Sequence, residues 1–159
     1  HGAIEVIPLD DEKVAKDIWE IRGAIARAVN VSGPWEPIDI VVPINRITDF
    51  VDYVNELTDS GSPRIVAFGH AGDGNVHLCV LKDNIPDDKW PELLHNTMEK
   101  LYKKSYELGG VVSGEHGVGK GKRDFFLQNT TDEYRSLMLG VKKSFDEFNL
   151  LNPHSGYGL

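Results

Sequence analysis

Two apolar runs, Ile65-Val66-Ala67-Phe68 and Val76-His77-Leu78-Cys79-Val80-Leu81, are separated only by Gly69-His70-Ala71-Gly72-Asp73-Gly74. Both runs read as strands, and the connection is glycine-rich and far shorter than the crossover of about a dozen residues that a parallel neighbour needs. A hairpin or tight connection is therefore expected, so the sheet is antiparallel or mixed although strands and helices alternate elsewhere along the chain. Period-2 alternation in the second run sends Val76, Leu78 and Val80 into the core and gathers Asn75, His77 and Cys79 on the opposite face.

The remaining elements follow from spacing and stop signals. Ala3-Ile4-Glu5-Val6-Ile7-Pro8 alternates like a strand, and Val14, Ile18, Ile21, Ile25 and Val29 predict a helix from about Asp10 to Asn30, broken by Ser32-Gly33-Pro34. Ile38 to Val42 is a β-branched strand; Pro43 then opens a helix with Ile44, Ile47, Phe50, Val51, Val54 and Leu57 on one face, ended by Ser60-Gly61-Ser62-Pro63. A third helix is expected from about Asp88 to Leu108, with Leu93, Leu94, Met98 and Leu101 inward. Gly109-Gly110 ends it, Val111-Val112 is a short strand, and a glycine-rich loop runs from Gly114 to Gly121. Thr130 with Glu133 resembles a capping box that starts a last helix, with Leu137, Met138, Val141 and Phe145 facing the core.

Composition narrows the function classes. The 159 residues are 40% hydrophobic, enough for one core and one domain. A net charge of −8 argues against nucleic acid and anionic lipid surfaces as partners. No apolar run approaches the ~20 residues of a membrane span, and the N-terminal HGAIEV lacks the features of a signal peptide. The single cysteine, Cys79, excludes an internal disulfide and points to a reducing compartment, so a cytoplasmic location is expected. The chain starts without Met and opens directly into an apolar run, as a fragment of a longer protein would.

Three places could carry chemistry. His70 precedes a turn that can fold back, so His70 and His77 could share a metal ion, although two histidines at this spacing are also compatible with surface or satisfied core residues. The second is Ser113-Gly114-Glu115-His116-Gly117-Val118-Gly119-Lys120-Gly121-Lys122-Arg123-Asp124, where glycines allow close approach of a ligand. Its Glu-His pair can divide metal coordination from proton transfer, and a helix-capping turn with a solvated basic end is the plainer alternative. The third is Arg22, whose guanidinium fork could bind a carboxylate, though most helix arginines do not. Two phosphate-binding frames fail. Gly114 to Lys120 matches a phosphate loop, but Gly121 replaces the Ser/Thr that would hold Mg²⁺. Gly72-Asp73-Gly74 begins a dinucleotide fingerprint whose third glycine is His77.

Taken together, Trp19-Glu20-Ile21-Arg22, Asp39-Ile40-Val41-Val42-Pro43, Gly69-His70 through His77, Ser113 to Gly119 and Leu150-Leu151-Asn152-Pro153 resemble the C-terminal (cap) domain of FAD-linked 2-hydroxyacid oxidoreductases. The resemblance runs in order over nearly the whole chain and is strongest to D-lactate dehydrogenases and glycolate oxidase large subunits. It implies an α+β, ferredoxin-like fold over residues 1–159, an antiparallel or mixed sheet with helices packed on one face, and a separate N-terminal FAD-binding domain that this chain lacks. It makes His70, His77 and Glu115 ligands of a divalent metal (Zn²⁺, Mn²⁺ or Fe²⁺). His116 becomes the group that takes the substrate hydroxyl proton, Arg22 the carboxylate clamp, Asn75 a supporting substrate-site residue, and Asn152 a neighbour of the flavin.

The family resemblance further implies a small 2-hydroxy acid as substrate, the chain's own FAD-binding domain as partner, and an electron-transferring flavoprotein or iron–sulfur subunit as acceptor. In the hydroxyglutarate branch a Thr, a Lys and an Asn that serve a second carboxylate stand where this chain has Ala26, Pro37 and Cys79, which favours a monocarboxylate such as lactate or glycolate. The chain alone is then expected to be inactive. The rival expectation is a free-standing metal- or ligand-binding module without redox chemistry.

Overall fold

The computed structural model describes residues 4–156. The short glycine-rich connection does what its length requires: β2 (Ile65–His70) and β3 (Asn75–Leu81) pair antiparallel across a one-turn 3₁₀ helix, Ala71–Asp73. Gly74 closes that turn at φ 73°, and a Cβ there would lie 2.1 Å from the Val42 carbonyl oxygen, so the position needs glycine on both counts. β1 (Trp35–Val41) pairs antiparallel with the other edge of β3, giving the order β1-β3-β2.

β1 and β2 are thus parallel to each other with β3 between them, joined by α2 (Ile47–Asp59), which a 3₁₀ turn at Ile44–Arg46 introduces. The expected strand at Val111-Val112 contracts to one bridge, Val41 with Val111, on the free edge of β1. With Val111 counted as a fourth strand position, the order is that of a ferredoxin-like α+β sheet.

Opposite residues in an antiparallel pair share a face, so register sorts the sheet in two. One face carries Ile38, Ile40, Val76, Leu78 and Val80 against Phe50, Val54 and Leu57 of α2 and Met98, Leu101 and Tyr102 of α3 (Trp90–Glu107), which together form the main core. The other face is mixed. At one end Cys79, Leu81, Val66 and Trp35 pack under Val29, the last residue of α1 (Glu12–Val29). At the other end Asp39, His77, Asn75 and His70 stand together.

Several expectations change. No strand forms from Ile4 to Pro8, where Ile4, Val6 and Ile7 are exposed; alternation without a partner strand has nothing to stabilise it, and Ala3 lies outside the described residues. A short helix, α4 (Arg123–Gln128), follows the glycine-rich loop and buries Phe125 and Phe126. Thr130 donates its hydroxyl to the Phe126 carbonyl at the end of α4, so the cap of α5 (Asp132–Phe145) passes to Thr131, whose oxygen accepts from the Tyr134 amide. On α5 only Met138 packs against the core, while Leu137, Val141 and Phe145 are exposed, because α2 and α3 already cover the apolar face of the sheet. Ile18, Ile21 and Ile25 of α1 are likewise exposed.

Candidate functional site

The polar end of the mixed sheet face is organised by one buried side chain. Asp39 interrupts the β-branched run Ile38-Asp39-Ile40-Val41, is 1% exposed, and lies opposite His77 in the register. Its Oδ2 accepts four hydrogen bonds, from the Ser113 hydroxyl at 3.0 Å and from the backbone amides of Gly114 at 3.0 Å, Glu115 at 3.0 Å and His116 at 2.9 Å. The Lys122 ammonium lies 3.7 Å from the same oxygen and donates to Ser113 Oγ at 3.4 Å. Burial pushes the Asp39 carboxyl up, but the His116 and Glu115 amides, the Ser113 hydroxyl and the Lys122 charge outweigh it and hold the group at about 2. Asp39 is therefore a fixed anion around which the backbone of the glycine-rich loop is wrapped.

That wrapping delivers Glu115 to the histidines. Glu115 Oε1 lies 3.2 Å from His77 Nε2, 3.9 Å from His70 Nε2 and 3.4 Å from His116 Nε2. The His70 and His77 rings meet edge-on at 5.2 Å between centroids, and His116 leans against His77 at 5.3 Å. One ligand atom from each of His70, His77 and Glu115 lies within 4.8 Å of the others, close enough for small side-chain rotations to bring all three onto one ion. Burial pushes the His77 imidazole below its ordinary value, opposed by the Asp39 and Glu115 charges and reinforced by His116 and His70, which favours the neutral, ligating form. Two imidazoles and a carboxylate suit Zn²⁺, Mn²⁺ or Fe²⁺.

The other predicted residues fall at different distances from this centre. Arg22, on α1, donates from Nη2 to His70 Nδ1 at 3.2 Å and with Ile25, Ala26, Phe68, His70 and His77 lines a cavity of about 240 Å³. Asn75 is buried beneath the loop, where a Cβ on Gly114 would come within 2.7 Å of its Nδ2; its Oδ1 has no hydrogen-bond partner. Asn152 stands in the C-terminal turn at φ 49°, bordering a recess with Gly119, Lys142 and Ser155, and that turn is tied to the loop by the Gly156 amide donating to the Gly119 carbonyl at 2.9 Å.

Cys79 is buried, and desolvation pushes its thiol up to about 11, which disfavours the thiolate. Asp39 and Lys122 carry no role in a reading by spacing. The visible signal is a carboxylate set between β-branched residues, Ile38-Asp39-Ile40, at a position where the strand is buried.

Comparison with known proteins gives the family of the chain. The family described as FAD linked oxidases, C-terminal domain, matches residues 1–155. D-lactate dehydrogenase of Anaerostipes hadrus is 37% identical over 153 residues, 96% of this chain and 32% of that protein. Glycolate oxidase subunit GlcD of Bacillus subtilis is 35% identical over 152 residues, 95% of this chain and 32% of that protein. A mitochondrial D-2-hydroxyglutarate dehydrogenase of Danio rerio is 29% identical over 139 residues, 87% of this chain and 25% of that protein. The chain thus spans about a third of the length of the first two relatives. On a match over nearly its whole length, the chain belongs to the family of FAD-linked oxidase C-terminal domains.

Proposed function

We propose that this chain supplies the substrate and metal half of a flavin-dependent dehydrogenase or oxidase acting on a small 2-hydroxy acid of the lactate or glycolate type, with FAD held mainly by a separate domain. The observation that carries this reading is the convergence of His70, His77 and Glu115 beside Arg22, with His116 on the same loop. His70, His77 and Glu115 would hold a divalent cation, which would supply Lewis-acid chemistry for a substrate hydroxyl, and FAD on a separate domain would supply the hydride acceptor.

The chain's own residues do the rest. Arg22 is the one permanent cation among the described residues lining the small cavity, and its two-pronged donor matches one carboxylate. A guanidinium only donates, so its bond to His70 Nδ1 requires a bare nitrogen there; a substrate carboxylate would take over those donors. His116, 56% exposed, accepts the proton of the 2-hydroxyl at a ring nitrogen.

The cavity wall supports a monocarboxylate. Ala26, Ile25 and Phe68 offer no donor to a second acid group, and Pro37 and Cys79 face each other across the strands without a charge. The relatives named for D-lactate and glycolate agree with that preference. The test is a steady-state assay of the flavin-loaded enzyme containing this chain against D- and L-lactate, glycolate and 2-hydroxyglutarate. The reading expects a small monocarboxylate to have the highest kcat/KM; a preference for hydroxyglutarate, or no oxidation of any 2-hydroxy acid, overturns it.

A further inference from the structure

We propose that Asp39 is a positioning residue that fixes the tautomer of His77, holding the ring proton on Nδ1 and leaving Nε2 bare toward Glu115. The two carboxylate oxygens of Asp39 are used unequally. Oδ2 takes all four loop hydrogen bonds, whereas Oδ1 is buried and has no hydrogen-bond partner. The group facing that orphaned oxygen is His77 Nδ1, at 3.7 Å, placed there by the Asp39–His77 register of β1 and β3.

At 3.7 Å the contact is longer than a hydrogen bond, so its effect is electrostatic selection. A bare Nδ1 would turn a lone pair toward a buried anion, while Nδ1–H turns a positive hydrogen toward it. Glu115 pulls the other way from Nε2, but it is 52% exposed and its charge is screened by water, whereas the Asp39 side chain is only 2% exposed. An imidazole whose Nδ1–H faces a carboxylate offers Nε2 as a lone pair, the state in which it can accept a cation. The same carboxylate therefore anchors the loop bearing Glu115 and His116 and sets the proton of the histidine they meet.

The inference predicts an inversion in Asp39→Asn. Four donors converge on the Oδ2 position, so the amide oxygen must occupy it and the NH₂ must occupy the Oδ1 position. That NH₂ would donate toward Nδ1 and drive the proton to Nε2. The experiment is ¹⁵N NMR of the histidine rings in the metal-free 159-residue chain, wild type against Asp39→Asn, at about pH 8–9, above the ordinary histidine range near 6.5. A Zn²⁺ titration by calorimetry accompanies it. His77 should be mainly Nδ1–H in the wild type and mainly Nε2–H in the variant, with Zn²⁺ affinity falling about 10–100-fold.

Lys122 loses its counter-ion in the single variant, so Asp39→Asn/Lys122→Met is made alongside it. Should neither fold, the wild-type spectrum decides alone. A wild-type His77 that is mainly Nε2–H, or one tautomer common to wild type and variant, overturns the proposal, even if affinity falls because the loop has loosened. The affinity arm rests on reading His70, His77 and Glu115 as metal ligands. A wild type that binds no Zn²⁺ sinks that reading, while the tautomer comparison still stands or falls by itself.

Discussion

Within the site, neighbouring residues are given separable tasks, and substitution distinguishes them. Replacing His116 with Ala in the flavin-loaded enzyme removes a general base, a contribution typically of ~10²–10⁴ in rate, while His70, His77 and Glu115 remain in place. Metal content should therefore stay near the wild-type level as kcat falls; a variant with near-normal kcat rules the role out. Arg22→Ala removes a carboxylate contact made in ground and transition states alike, so KM should rise with a smaller loss in kcat. The residue types of these groups were plain in the sequence. Their partners were not, because Arg22 meets His70 across 48 positions and Asp39 meets the loop across 74 to 77 positions. No local spacing rule reaches that far.

The loops and caps show how backbone geometry, rather than side-chain chemistry, decides which element goes where. Gly74 sits at φ 73° with the Val42 carbonyl 2.1 Å from where a Cβ would stand. Gly74→Ala should therefore cost about 2–4 kcal/mol, combining a strained φ with overpacking against backbone. Gly140, inside α5 with nothing within 4 Å, should behave oppositely, and Gly140→Ala should gain about 0.5–1 kcal/mol. Urea denaturation of both variants checks the pair, and equal effects would contradict the contrast. Element types were legible wherever period and stop signals agreed, as for α2, α3, β2 and β3. They failed where a pattern needed a partner: the alternation from Ile4 to Pro8 found no strand to pair with, and α4, only six residues long, has no periodicity to read.

For the molecule as a whole, the buried anion ties stability to pH. Asp39 is held at about 2 against an ordinary 3.8, so it stabilises the fold above pH 3.8, and that contribution, roughly 2 kcal/mol, is lost as pH falls toward 2. Thermal melts of the metal-free chain from about pH 6 to 2 should show a decline in this window that is shallower in Asp39→Asn. Parallel curves for the two proteins would deny Asp39 that share. The chain covers between a quarter and a third of the length of the relatives named above, and both glycine-rich phosphate frames lack a required residue. Incubated with FAD and desalted, it should therefore keep no visible flavin absorbance; tight stoichiometric retention would contradict the assignment of FAD to a separate domain.

By itself, the sequence determined the antiparallel β2–β3 pair, the inward face of α2, that of α3 except for Leu93, which is exposed in its first turn, and the residue types gathered in the two His/Glu blocks. These depend on neighbours a few positions apart: a connection too short for a crossover, a period of 2 or 3.6, glycine where a turn requires it. Only the tertiary structure decided that Asp39 would stand opposite His77, that one carboxylate oxygen would anchor the loop while the other stayed without a hydrogen-bond partner, and that Leu137, Val141 and Phe145 of α5 would remain outside the core. Strand register and the competition among helices for one sheet face are settled by contacts between distant segments, and those exist only once the chain has folded.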